Sequence, residues 1–194
     1  MDLAEALGYQ SFHLVGHDLG GIVAWYLAAH HPARVRTLTA VSTPHLAAFA
    51  RALHDPAIQR VPPFPLFRQP APAPEQIMLA NDAAALRAAY AGLEPEDANY
   101  YVSTFSKPGV LTAGLNYFRA IDYDQWFALP KVSVPTQFVW GAEDPYLDNS
   151  TACATADHVK GNYHGVLLKG VGHWVPETAR DELTHMLLEH ISST

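Results

Sequence analysis

The apolar positions along this chain follow two rhythms, and the switches between them outline the fold. Residues 2–8 carry a short helical pattern, with Gly8 suited to its C-terminal stop. Phe12-His13-Leu14-Val15-Gly16 is a compact apolar run that predicts a buried strand. Ile22, Trp25, Tyr26 and Ala29 then recur at helical spacing up to a stop at Pro32. Residues 35–42 form a second apolar run, closed by Thr43-Pro44. Strand, helix and strand in this order predict a parallel pair joined by a right-handed crossover.

The pattern then changes. Val61-Pro62-Pro63-Phe64-Pro65 and Gln69-Pro70-Ala71-Pro72-Ala73-Pro74 place six prolines where neither strand nor helix can run. Helical patterns follow at residues 75–90, 95–105 and 110–120. Strand patterns return at residues 136–140 and 164–168, and a last helix is predicted over 176–191. The reading is an α/β chain with a mainly parallel sheet. Residues 1–44 and 131–194 would build the sheet domain, and 45–130 a helical insertion.

Composition narrows the function classes. At 194 residues, 49% hydrophobic and 16% charged, the chain reads as one soluble globular domain with a real core. A net charge of −7 without a run of Lys or Arg argues against nucleic acid and anionic membrane surfaces as partners. With no signal peptide, no apolar stretch of spanning length and a single cysteine, Cys153, the default location is cytoplasmic. The eleven histidines show no H-E-x-x-H or paired Cys/His spacing, so no metal site is expected.

Gly16-His17-Asp18-Leu19-Gly20 lies between a predicted strand and a predicted helix. A residue in such a turn adopts an unusual backbone conformation, and glycines two places either side let the chain segments pass. The turn would hold Asp18 beyond the sheet's carboxyl edge, at a helix N-terminus that favours an anion. Gly141-Ala142-Glu143-Asp144 and Gly170-Val171-Gly172-His173-Trp174 each follow a further strand. Each residue has a plainer reading: Asp18 as a helix cap, Asp144 as a turn residue, His173 as a loop histidine. Nucleophile, acid and histidine in this chain order, each at a strand end, match the order of an α/β-hydrolase triad.

The chain resembles the epoxide hydrolase and haloalkane dehalogenase branch of the α/β-hydrolases, which carry Asp where esterases carry Ser. The likeness is carried by residues 16–21, His31-Pro32-Ala33-Arg34-Val35, Ser42-Thr43-Pro44-His45, Leu115-Asn116-Tyr117-Phe118-Arg119 and Gly172-His173-Trp174-Val175-Pro176. It implies a partial α/β-hydrolase fold in which residues 45–130 are a helical cap. It also implies that Asp18 attacks an sp³ carbon to give an alkyl ester, which water cleaves with His173 as base and Asp144 as its orienting acid. The Leu19 N–H would supply half of an oxyanion hole. Small apolar substrates and water are the expected partners, and no cofactor is needed.

Within the branch, haloalkane dehalogenases usually place Trp after the nucleophile, where this chain has Leu19, so epoxide opening is the leading expectation and dehalogenation, or another α/β-hydrolase reaction, the alternative. Epoxide hydrolases use cap tyrosines as acids, one of them fourth in an L-N-W-Y-R-like segment. Here that position is Phe118; Tyr117 is adjacent but turned by ~100° on a helix. Tyr117, Phe118 and Trp174 are the expected substrate contacts. The resemblance also leads one to expect strands with an H-G-x-P-like turn ahead of Asp2. Their absence would make this a fragment with an exposed, hydrophobic sheet edge open to self-association. A non-catalytic remnant or interaction module is therefore the competing class.

Overall fold

The computed structural model describes residues 2–193, and the side chains from Leu3 onward. Among these, α1 is Asp2–Ala6, β1 Phe12–His17, α2 Leu19–His30, β2 Val35–Val41 and α3 Leu46–His54. Four helices follow: α4 Phe64–Phe67, α5 Ala73–Ala89, α6 Pro95–Phe105 and α7 Val110–Ala120. A 3-10 turn, Tyr123–Ala128, leads to β3 Thr136–Gly141, α8 Asn149–Ala154, β4 Tyr163–Leu168, α9 Val175–Thr178 and α10 Arg180–Ser192.

The chain divides into a sheet unit, residues 1–61 and 123–194, and a helical unit, residues 62–122. α3 and the 3-10 turn, which lie inside the segment 45–130, group with the sheet. In the sheet unit the strands run in the order β1-β2-β3-β4, all parallel. His17 is level with Val41, Val41 with Val139, and Gly141 with Leu168. The carboxyl ends of the strands therefore form one edge from which their loops emerge. Every residue of β3 is buried. Val41 and Val139 pack with Val175, Ala179 and Leu183 in a core that the last helices close.

Three local expectations need correction. The run at residues 12–16 was expected as a buried strand, yet β1 is mostly half-exposed, with Val15 46% exposed. Among the described residues its one paired neighbour is β2. The predicted helix over 176–191 is two helices, because Ala179 (φ −133°, ψ 43°) breaks the ladder between α9 and α10. The helix predicted over 75–90 contains a break as well: Asn81, Asp82 and Ala83 all have left-handed φ values near +55°. Helical spacing of apolar residues survives such breaks, so hydrophobic rhythm alone cannot locate them.

In the helical unit, α7 meets α4 through Phe118, whose ring lies 5.6 Å from Phe64 and 5.0 Å from Phe67. Arg119 pairs with the enclosed carboxylate of Glu75 at 2.8 Å and donates to the Gln69 carbonyl at 2.9 Å. Burial pushes the Glu75 carboxyl up, but the Arg119 guanidinium outweighs it and leaves it below the usual range. Among the described residues no helix is long and apolar enough to cross a membrane.

Candidate active site

Three strand ends supply the site. β1 ends at His17, and Asp18 turns the chain into α2 with φ 49° and ψ −121°, a conformation that costs a non-glycine residue about 1–3 kcal/mol. The surrounding packing enforces it. A Cβ on Gly16 would collide with the Gly20 carbonyl, and one on Gly21 would lie 2.6 Å from the Thr43 side chain. Gly20, by contrast, has open space where its Cβ would be, so the glycines that the turn needs are Gly16 and Gly21. Thr43 Oγ1 donates to the Asp18 carbonyl at 2.9 Å, and the Trp25 indole donates to the Thr43 carbonyl at 2.8 Å. The Asp18 side chain makes no capping hydrogen bond to α2, which removes the plainest structural reason for an aspartate there.

After β3, the Gly141-Ala142-Glu143-Asp144 turn packs so closely on the His173 loop that a Cβ on Gly141 would overlap the Val171 and Gly172 carbonyls. Asp144 is wholly buried, and both carboxylate oxygens are used. Oδ1 accepts from the Tyr146 N–H at 2.8 Å, and Oδ2 accepts from His173 Nδ1 at 2.9 Å. A carboxylate only accepts, so Nδ1 carries a proton toward Asp144, and Nε2 is the nitrogen that faces Asp18. Nε2 lies 3.6 Å from Asp18 Oδ1. The fold thus brings together three residues that are far apart in sequence: a half-exposed carboxylate, a 7% exposed imidazole and a buried carboxylate behind it.

Residues 2–179 match the family model of the alpha/beta hydrolase fold. The chain belongs to that family. Among curated relatives of this α/β-hydrolase, epoxide hydrolase 4 of Mus musculus is 31% identical over 196 residues, covering 93% of this chain and 54% of the relative. AB hydrolase superfamily protein YfhM of Bacillus subtilis is 29% identical, covering 93% of this chain and 65% of the relative. The chain thus spans little more than half the length of the mouse relative. Among solved structures, an epoxide hydrolase from Bacillus megaterium superposes with a TM-score of 0.83 at 21% identity, over 98% of this chain and 72% of that one. One of the epoxide hydrolases from hot-environment metagenomes gives 0.79 at 26% identity, over 97% and 70%.

The electrostatics of this α/β-hydrolase site favour an ion pair at rest. Burial disfavours charge on His173, but hydrogen bonds and charge from Asp144 and Asp18 outweigh it and raise its pKa to about 9. Burial likewise pushes Asp18 up, and the His173 bond and charge, with the Leu19 backbone N–H, pull it below the ordinary carboxylate value. Leu19 is the first residue of α2, directly after Asp18. Trp174 stands edge-on to His173, with ring centroids 5.3 Å apart. Tyr117 and Phe118 belong to the helical unit, where Tyr117 is 65% exposed and Phe118 sits in its phenylalanine cluster.

Three neighbours of His173 were not singled out as site residues from sequence. The Tyr146 ring meets His173 edge-on at 5.1 Å, and its phenol is raised by burial and by the charges of Asp144 and Asp18. His17 Nε2 and Ser42 Oγ both donate to the His173 carbonyl, at 3.0 Å and 2.8 Å. His17 adjoins Asp18 and Tyr146 lies two residues past Asp144 in sequence, which is the one signal that pointed to them. Ser42 had only its place at a strand end.

Proposed function

We propose that this chain is an epoxide hydrolase-like enzyme working through an alkyl ester on Asp18. The observation that carries the reading is an aspartate, where esterases hold serine, at a strained elbow with His173 Nε2 3.6 Å from its carboxylate. The Asp18 carboxylate attacks an epoxide carbon, the carbon–oxygen bond breaks, and the departing oxygen takes up a proton. Esterification removes one of the two anions that raise the His173 pKa, so the imidazole gives up its proton through solvent, balancing the one the departing oxygen took, and becomes a base. It then deprotonates a water that adds to the ester carbonyl. The tetrahedral oxyanion is held by the Leu19 N–H; its collapse expels the second oxygen of the vicinal diol, which takes a proton from the imidazolium, and the freed Asp18 carboxyl returns its proton to His173. Asp144 holds the ring and stabilises the imidazolium. The Trp174 indole beside His173 suits a small apolar substrate. The likeness to epoxide hydrolases supports ring opening, and Leu19, in the position where haloalkane dehalogenases usually carry Trp, argues against halide release.

The test is His173→Gln incubated with styrene oxide and, separately, with a haloalkane. The expected result is an epoxide-derived mass adduct on Asp18 that turns over slowly; unchanged turnover without an adduct would contradict the scheme. A second reading, self-association, is supported by the place of β1 at the end of the strand order and its exposed Val15. It predicts a concentration-dependent mass in sedimentation that Val15→Lys abolishes.

A further inference from the structure

We infer that His17 and Ser42 position the general base through its main chain, so that the side chain preceding the nucleophile helps set the nucleophile–base distance. The inference rests on the reading of Asp18 and His173 given above. Asp144 fixes only the far nitrogen of the imidazole, and a ring tethered there can still pivot if its backbone moves. The His173 carbonyl removes that freedom by accepting three hydrogen bonds: from His17 Nε2 at 3.0 Å, Ser42 Oγ at 2.8 Å and the Val175 N–H at 3.0 Å. The first two donors come from the ends of β1 and β2, the strands that flank the elbow.

Two further features fit a positioning role. Ser42 holds a left-handed φ of 54°, strain in a buried serine whose hydroxyl it aims at that carbonyl. The His17 ring lies 5.0 Å from the His173 ring and 5.6 Å from Trp174, filling the space into which the base would tilt. A carbonyl only accepts, so His17 Nε2 carries a proton. Burial and the neighbouring His173 lower the His17 pKa, which keeps a second cation away from the imidazolium.

The experiment follows the His173 ring nitrogens by NMR in the full chain labelled with nitrogen-15 histidine, through the titration expected near pH 9. His17→Phe and Ser42→Ala should each lower the midpoint, because a released carbonyl loosens the pairing with Asp18. His17→Gln should restore it, since its amide N–H reaches the same carbonyl. With styrene oxide, His17→Phe should slow loss of the Asp18 adduct by about tenfold, the scale of one hydrogen bond, and leave adduct formation unchanged. A His173 midpoint in His17→Phe and Ser42→Ala equal to that of the parent chain would overturn the inference, and Ser42→Ala decides it if His17→Phe does not fold. A chain whose His173→Gln variant never forms an adduct rejects the ester reading instead, while the titration still decides the positioning.

Discussion

In the sheet unit the turns that carry Asp18 and Asp144 are locked by backbone against backbone, at Gly16 on Gly20 and at Gly141 on the Val171 and Gly172 carbonyls. In the helical unit cohesion comes from rings and one enclosed ion pair. Tyr90 stacks on Tyr101 at 5.0 Å, Phe118 sits against Phe64 and Phe67, and Arg119 holds Glu75. Backbone contacts fail on one added methyl group, whereas ring clusters adjust to changes of size. The Asp18, His173 and Asp144 cluster therefore sits where the chain has least freedom, and the helical unit has the looser kind of packing.

This contrast can be broken at several points. Asp18→Ala should cost on the order of 10⁴-fold or more in turnover while the fold persists, measured by initial rates and circular dichroism. Gly141→Ala should destabilise the sheet unit by about 3 kcal/mol in denaturant titration, since neither carbonyl can retreat without opening the Asp144 and His173 loops. Arg119→Met should leave the Glu75 carboxylate enclosed without its partner, at a cost on the order of 2–3 kcal/mol. Hydrogen exchange should place that loss in the helical unit and leave β2 and β3 protected.

Smaller effects sharpen the picture. The folded His173 pKa, about 9, lies above its ordinary 6.5, so proton binding favours the fold fully below pH 6.5. That contribution fades as pH rises through about 9, and Asp18→Asn should flatten the fall in melting temperature over that window. Asp18, lowered from 3.8, contributes in the opposite sense: its share is present above that value and lost as pH falls below it. The smallest effect belongs to Gly20→Ala. With open space at its Cβ and a helical setting, it should be neutral or stabilising, by up to about 1 kcal/mol.

Much of this was legible in the sequence because each of the key residues closes a strand. The runs at residues 35–42 and 136–140 announced buried strands, and Asp18, Asp144 and His173 follow strand ends in chain order. The turn glycines were half-legible: the G-x-D-x-G pattern named Gly16 correctly, but the contact with Thr43 that requires Gly21 exists only after folding. The break in α5 was hidden because its apolar spacing continues through Asn81-Asp82-Ala83. Ser42 and His17 were hidden for a different reason. They act on a main-chain carbonyl more than a hundred residues away, and a backbone acceptor leaves no letter in the sequence.

The central claim is that the substrate passes through covalent attachment to Asp18. A single turnover of styrene oxide in heavy-oxygen water tests it most directly. The account predicts that the diol of the first turnover carries ordinary oxygen taken from Asp18, while the label appears in the Asp18 carboxylate. Label in the diol and none in Asp18 would mean that water attacks the epoxide directly, which contradicts the account.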